Sequence, residues 1–172
     1  EVPEFAWRLA RQFWRGPLTL VLKRAPGVLD AVTGGQHTVG LRVPAHDTAQ
    51  ELLRAFGSAI AAPSANKFGR LSPTSAEHVR SDLGAEIDGI VDAIDDGDTC
   101  AIGIESTIVD CSGEAPVLLR PGRISAAEIE QTAGLPLASP ETSEQRAPGM
   151  LRAHYAPRAK LKLMRRTEII GA

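Results

Sequence analysis

The chain is predicted to be α/β. Amphipathic helical stretches alternate with short aliphatic strands, three helix starts pair Ser, Thr or Asp with Glu or Gln three residues later, and Gly or Pro closes most segments. Its 172 residues, 43% apolar and 23% charged, can bury one core and fit neither a disordered nor a membrane class. No apolar run approaches the ~20 residues of a transmembrane helix and no leader pattern opens the chain, so a cytosolic setting and no membrane association are expected. A net charge of −2 gives no broad footprint for nucleic acid, and a small ligand is the first expectation. Cys100 and Cys111 lack metal-site spacing and read as reduced structural thiols.

Residues 3–14 place Phe5, Leu9 and Phe13 at four-residue spacing beside Ala6 and Ala10, which predicts an amphipathic helix ended by Gly16 and Pro17. Trp14 is expected in the core. Residues 18–23 read as a buried aliphatic strand, and residues 24–36, with Pro26, Gly27, Gly34 and Gly35, as an irregular connection or one helical turn. Residues 38–43 follow as a strand whose alternation puts Val39, Leu41 and Val43 on one face and Thr38, Gly40 and Arg42 on the other. That second face reads either as an ordinary solvated surface or as a ligand face on which the Arg42 fork meets a carboxylate or phosphate. Asp47 with Gln50 is expected to cap a helix that runs to Phe56 and closes at Gly57.

The apolar run 58–62 reads as a strand emptying into a small-residue loop, 62–74, before a helix capped by Thr74 with Glu77 and stopped at Gly84. Such a loop offers backbone N–H groups, the Ser64 and Ser72 hydroxyls and the Asn66 amide to a phosphate or carboxylate; a polar surface loop is the equal alternative. Residues 87–94 are expected to form a strand, and the acidic cluster 95–98 a turn rather than a calcium loop. Gly103, Glu105, Ser106 and Thr107 lead into another apolar strand as a second polar wall, with Ser106 read as a hydrogen-bond donor rather than a nucleophile. Residues 116–120 give a further strand ending in Arg120, before the Pro121-Gly122 turn, and Ser125 with Glu128 opens a last helix that Gly134 ends. Residues 135–146 have linker composition; residues 148–157 then bring Arg152, His154 and Tyr155 together, either over a site or in interdomain packing.

Taken in order, Gly16-Pro17-Leu18-Thr19, Leu41-Arg42-Val43-Pro44, Ser64-Ala65-Asn66 through Ser72-Pro73-Thr74, Glu105-Ser106-Thr107, Arg120-Pro121-Gly122 and Pro148-Gly149-Met150 through His154-Tyr155-Ala156-Pro157 resemble the motifs of the Sua5/YrdC family. The last resembles the longer Sua5 branch. The resemblance implies a YrdC-like twisted mixed sheet with flanking helices and a concave ligand face. It divides the chain into a catalytic domain at 1–134 that lacks its N-terminal part, a linker at 135–159, and the start of a C-terminal domain at 160–172. Because the chain opens on Glu1 rather than Met, and residues 1–14 already read as the middle of a domain, it is expected to be a truncated portion of a longer enzyme.

The implied reaction is the synthesis of L-threonylcarbamoyladenylate and pyrophosphate from L-threonine, bicarbonate and ATP with Mg²⁺, for the N6-threonylcarbamoyl modification of tRNA by a downstream transferase complex. Carried over by motif, Thr38, Ser64, Asn66, Ser72 and Arg120 would hold the nucleotide and His154 or Tyr155 would close over its phosphates. Arg42, Ala62 through its backbone, and Ser106 would face L-threonine. No residue is expected to act as a covalent catalyst and none as a metal ligand. The alternatives are a YrdC-like domain that forms carbamoyl-adenylate and a non-catalytic RNA-binding module; weak RNA binding is compatible with either activity.

Overall fold

The computed structural model describes residues 1–67, 70–88, 104–143 and 145. Its described elements run in the order α1 (Glu4–Phe13), β1 (Leu18–Lys23), α2 (Asp30–Thr33), β2 (Thr38–Leu41), α3 (Asp47–Phe56), α4 (Ala76–Leu83), β3 (Thr107–Asp110), β4 (Val117–Arg120) and α5 (Ala126–Ala133), with a 3₁₀ turn at Pro140–Thr142. The four strands form one mixed sheet in the order β2-β1-β3-β4. β1 pairs antiparallel with β2, Leu20 opposite Leu41, and parallel with β3, Leu18 beside Thr107. The α/β expectation holds.

β1 sits between two apolar clusters. On one side Leu18, Leu20 and Leu22 meet Val109 and Cys111, covered by Phe5, Ala6, Leu9 and Ala10 of α1 and by Ile124, Ile129 and Ala133 from the α5 region. The four-residue spacing read in the sequence is therefore the buried stripe of α1. Trp14 packs on this cluster and its indole N–H donates to the Leu18 carbonyl at 2.9 Å. The Arg8 guanidinium donates to the Ala133 carbonyl at 3.1 Å, tying α1 to the end of α5. Across the sheet, Val21, Ile108, Val117 and Leu119 form a second, smaller cluster with Ala138.

Several local expectations shift. Ser125 and Glu128 make the complete reciprocal cap on α5, and Gly134 closes that helix at φ 69°. The other two caps move. His46, not Asp47, is the N-cap of α3, and the Gln50 amide donates to the Pro44 carbonyl at 2.6 Å instead of closing a box. α4 starts one residue later than Thr74 implies: Ser75 accepts from the His78 N–H, while Thr74 contacts the His78 ring. β2 ends at Leu41, two residues short of the expected strand, although the alternation holds, with Val39 opposite Leu22 and Gly40 opposite Val21. As the sheet's edge it leaves Leu41 39% exposed.

The run at 58–62 is not a strand; it lacks regular structure and is exposed, because its alanines offer little area to bury against a neighbour. Of the strand expected at 87–94, Ile87 and Asp88 lie in a bend and the remainder falls outside the described residues, as do the acidic cluster 95–98 and Cys100. No helix among the described residues is long and apolar enough to cross a membrane.

Cys111 is a free, buried thiol, as expected of a structural cysteine. Burial, with the charge of Asp110 adding to it, pushes this thiol up to about 12. Since the thiolate is the reactive form, Cys111 in a Cys100→Ser protein should meet an aromatic disulfide reagent at mildly alkaline pH only as fast as the domain opens. Fast labelling of the folded protein would contradict this placement.

Candidate functional site

The parallel step from β1 to β3 brings hydroxyls together on the face opposite α1. Thr19 is the polar position in an aliphatic strand, and its Oγ1 lies 3.0 Å from Ser106 Oγ at the entrance to β3. Arg120, the last residue of β4, donates from Nε to the Ser106 carbonyl at 3.0 Å and from Nη2 to Ser106 Oγ at 2.9 Å. Its side chain is only 11% exposed. A β-bulge directs it there. Ile108 pairs with Arg120 and Val109 with Leu118, so Leu119 is the extra residue and Arg120 returns to the Ser106 face.

Glu105 completes the cluster. It accepts from the Ser72 hydroxyl, and its Oε2 lies 3.6 Å from Arg120 Nη2. Gly122 makes this arrangement possible. A Cβ on Gly122 would lie 2.5 Å from Thr107 N, 2.6 Å from the Glu105 carbonyl and 2.8 Å from Thr107 Oγ1, so the turn after β4 packs its backbone against the segment that carries Glu105 and Ser106. Thr107 is locked on both sides. Its N–H donates to the Pro17 carbonyl at 2.9 Å, and its hydroxyl bonds the Ile124 carbonyl and N–H at 3.1 and 3.0 Å.

The loop before α4 is held by its own acid. Asp82 accepts from the Lys67 N–H at 2.7 Å and from the Arg70 guanidinium at 2.6 Å, and Lys67 Nζ pairs with Glu86 at 2.7 Å. The Lys67 N–H, followed by Arg70, holds the Asp82 carboxyl below the usual range. Asn66 donates to the Lys67 and Arg70 carbonyls at 2.9 and 3.2 Å, while its buried Oδ1 has no hydrogen-bond partner among the described residues. The two loop cations therefore brace the loop against α4 and the turn after it.

Of the residues read from the sequence, the structure brings Ser72, Ser106 and Arg120 into one bonded cluster. Thr38 is buried at the other end of the sheet's open face, opposite Lys23, and donates to Gln145. It lines a groove of about 440 Å³ with Lys23, Arg24, His37, Ser112 and Gln145. Gly40 lies between, where even a Cβ would only reach ordinary contact with Thr19 Cγ2, at 3.4 Å. Arg42, Ala62 and Ser64 are exposed and Asn66 is half-buried in its loop. His154 and Tyr155 lie outside the described residues. Residue-by-residue reading passed over Thr19 and Asp82 and gave Glu105 a place in the second polar wall but no role of its own, although Thr19 and Glu105 stand inside quoted motifs. The available signals were a lone hydroxyl in an apolar strand and an acid beside a hydroxyl pair.

Comparison with known proteins places these features in context. The Sua5/YciO/YrdC family model, described as "Telomere recombination", matches residues 1–122, and the model described as "Threonylcarbamoyl-AMP synthase, C-terminal domain" matches residues 124–170. The chain is 45% identical over 166 residues to the threonylcarbamoyl-AMP synthase of Pyrococcus abyssi, covering 94% of this chain and 48% of that protein. It is 46% identical to the Bacillus subtilis enzyme of the same name, covering 94% and 47%. The crystal structure of P. abyssi Sua5 complexed with L-threonine superposes with a TM-score of 0.82 at 44% identity, covering 93% of this chain and 47% of that one. Escherichia coli YciO superposes at 0.59 with 25% identity, covering 74% and 61%. The chain thus spans about half the length of the curated relatives it matches best in sequence.

Two outcomes follow from this geometry. Gly122→Ala should destabilise the fold by about 1–3 kcal/mol, because an added methyl meets backbone rather than a movable side chain; urea unfolding measures it, and an unchanged midpoint would refute the close approach. The lowered Asp82 carboxyl makes the loop's tie fully present above 3.8, its ordinary value, and lost as pH falls through the lower folded value. The Lys67 amide resonance should therefore titrate with a midpoint below 3.8, and a midpoint at or above that value would mean the tie does not form.

Proposed function

The chain belongs to the Sua5/YciO/YrdC family, and from that membership we propose that it forms L-threonylcarbamoyladenylate and pyrophosphate from L-threonine, bicarbonate and ATP. The observation that carries this reading is the Ser72-Glu105-Arg120-Ser106 cluster, formed by residues of the family motifs in a chain so similar to a Sua5 crystallised with L-threonine. In this reading Thr38, Ser64, Asn66, Ser72 and Arg120 hold the nucleotide. Arg42, the Ala62 backbone and Ser106 face L-threonine, and His154 or Tyr155 closes over the phosphates.

The chemistry asks the protein for placement more than for covalent work. The threonine amine forms a C–N bond to the bicarbonate carbon as a C–O bond breaks and water leaves, or adds to CO₂ with loss of a proton, to give a carbamate. A carbamate oxygen then forms a bond to the α-phosphorus while the bond to pyrophosphate breaks. Arg42 offers a planar fork to the threonine carboxylate, and Arg120, already oriented by two bonds to Ser106, supplies positive charge without rearrangement. Mg²⁺ arriving with ATP would neutralise charge on the phosphates.

The adenylate would pass to a tRNA threonylcarbamoyl transferase complex in the cytosol, and the chain would touch RNA weakly at most. Calorimetric titration with a non-hydrolysable ATP analogue and Mg²⁺, with and without L-threonine and with L-serine and L-valine as controls, tests the reading. Nucleotide binding that L-threonine alone strengthens is expected. Binding indifferent to threonine but responsive to carbamoyl phosphate would replace this reading with the carbamoyl-adenylate one.

A further inference from the structure

Among the described residues, the loop that carries Ser64, Asn66 and Ser72 is braced to α4 by Asp82 and reaches the polar face of the sheet through the Ser72–Glu105 hydrogen bond. Glu105 is only a third exposed and faces Arg120, whose Nε and Nη2 are both committed to Ser106. A single carboxylate thus stands between the loop, the β4 cation and the β3 hydroxyl. We propose that Glu105 is the positioning residue that couples the nucleotide and threonine subsites, by fixing Ser72 of the loop and Arg120 of β4 in one geometry around Ser106. This deepens the functional reading above and rests on it.

The physical argument is one of matched valences. Ser72 has one O–H to give, and Glu105 accepts it; Arg120 is held on one edge by Ser106 and balanced on Nη2 by the second carboxylate oxygen. When L-threonine engages Ser106, any shift of that hydroxyl is felt by Arg120 directly and by Ser72 through Glu105. Glu105→Gln has one acceptor oxygen in place of two: with that oxygen kept on Ser72 it turns an amide NH₂ toward the guanidinium, so it removes the link with little change in volume.

Calorimetry on the wild type, Glu105→Gln, Ser72→Ala and the double variant, each with the ATP analogue alone, L-threonine alone and both, tests this. The expected result for Glu105→Gln is a melting temperature close to wild type, threonine affinity unchanged, nucleotide affinity down by about tenfold, and loss of the threonine-induced gain. The Ser72 and Glu105 effects should be non-additive. A variant that binds nucleotide as wild type with its coupling intact overturns the proposal while leaving the functional reading standing. A lower melting temperature with both ligands weakened alike, or a wild type that binds the two ligands independently, overturns it too. If neither wild type nor variant binds nucleotide or threonine, this proposal and the functional reading fall together.

Discussion

The parallel pairing of β1 with β3 is the constraint on which the candidate site depends. Two strands 89 residues apart by their first paired positions, Leu18 and Thr107, lie side by side, and the Pro17 carbonyl takes the Thr107 N–H at 2.9 Å where the ladder begins. Parallel pairs have no hairpin to set their register. Here the register is set by burial: Leu18, Leu20 and Leu22 must face the α1 and α5 side chains, which leaves Thr19 and Val21 for the other side. Once Thr19 is placed, Ser106 is within a hydroxyl's reach, and the rest of the cluster assembles on it.

This ordering explains why the scaffold and the site differ in character. The helix-covered side is apolar and closed, with Leu9, Leu18, Val109 and Ile129 fully buried. The other side mixes a small apolar cluster with hydroxyls, a carboxylate and a guanidinium. Buried polar groups are tolerable only when bonded, and each member of the cluster is bonded to at least one other.

Periodicity revealed the elements that bury a stripe. α1 follows from Phe5, Leu9 and their alanine neighbours, β1 matches its expected bounds, and the Ser125–Glu128 cap is formed as read. Two helix starts moved by one residue in tertiary context: Ser75 rather than Thr74 caps α4, and His46 stands at the N-cap of α3 without a side-chain cap bond, while Gln50 donates to the Pro44 carbonyl. Small apolar residues misled the reading at 58–62, since an apolar run without side-chain bulk specifies no face. The site was legible as ordered motifs, because each motif is local. Its wiring was not, since Ser72, Glu105 and Arg120 meet only through the turn at Gly122 and the bulge in β4, neither of which has a periodic signature.

That bulge has an effect on what chain length means in β4. In an unbroken strand, Leu119 and Arg120 would point to opposite sides of the sheet; with Leu119 as the supernumerary residue, both serve the same side, one closing the small apolar cluster and the other reaching Ser106. A homologue shorter by this one residue would keep its cation on target and lose only the plug beside it. Aligned by hydrophobic phase, however, the two strands would look one position out of step. The apparent gap would fall at the place where apolar packing and the polar cluster share a strand.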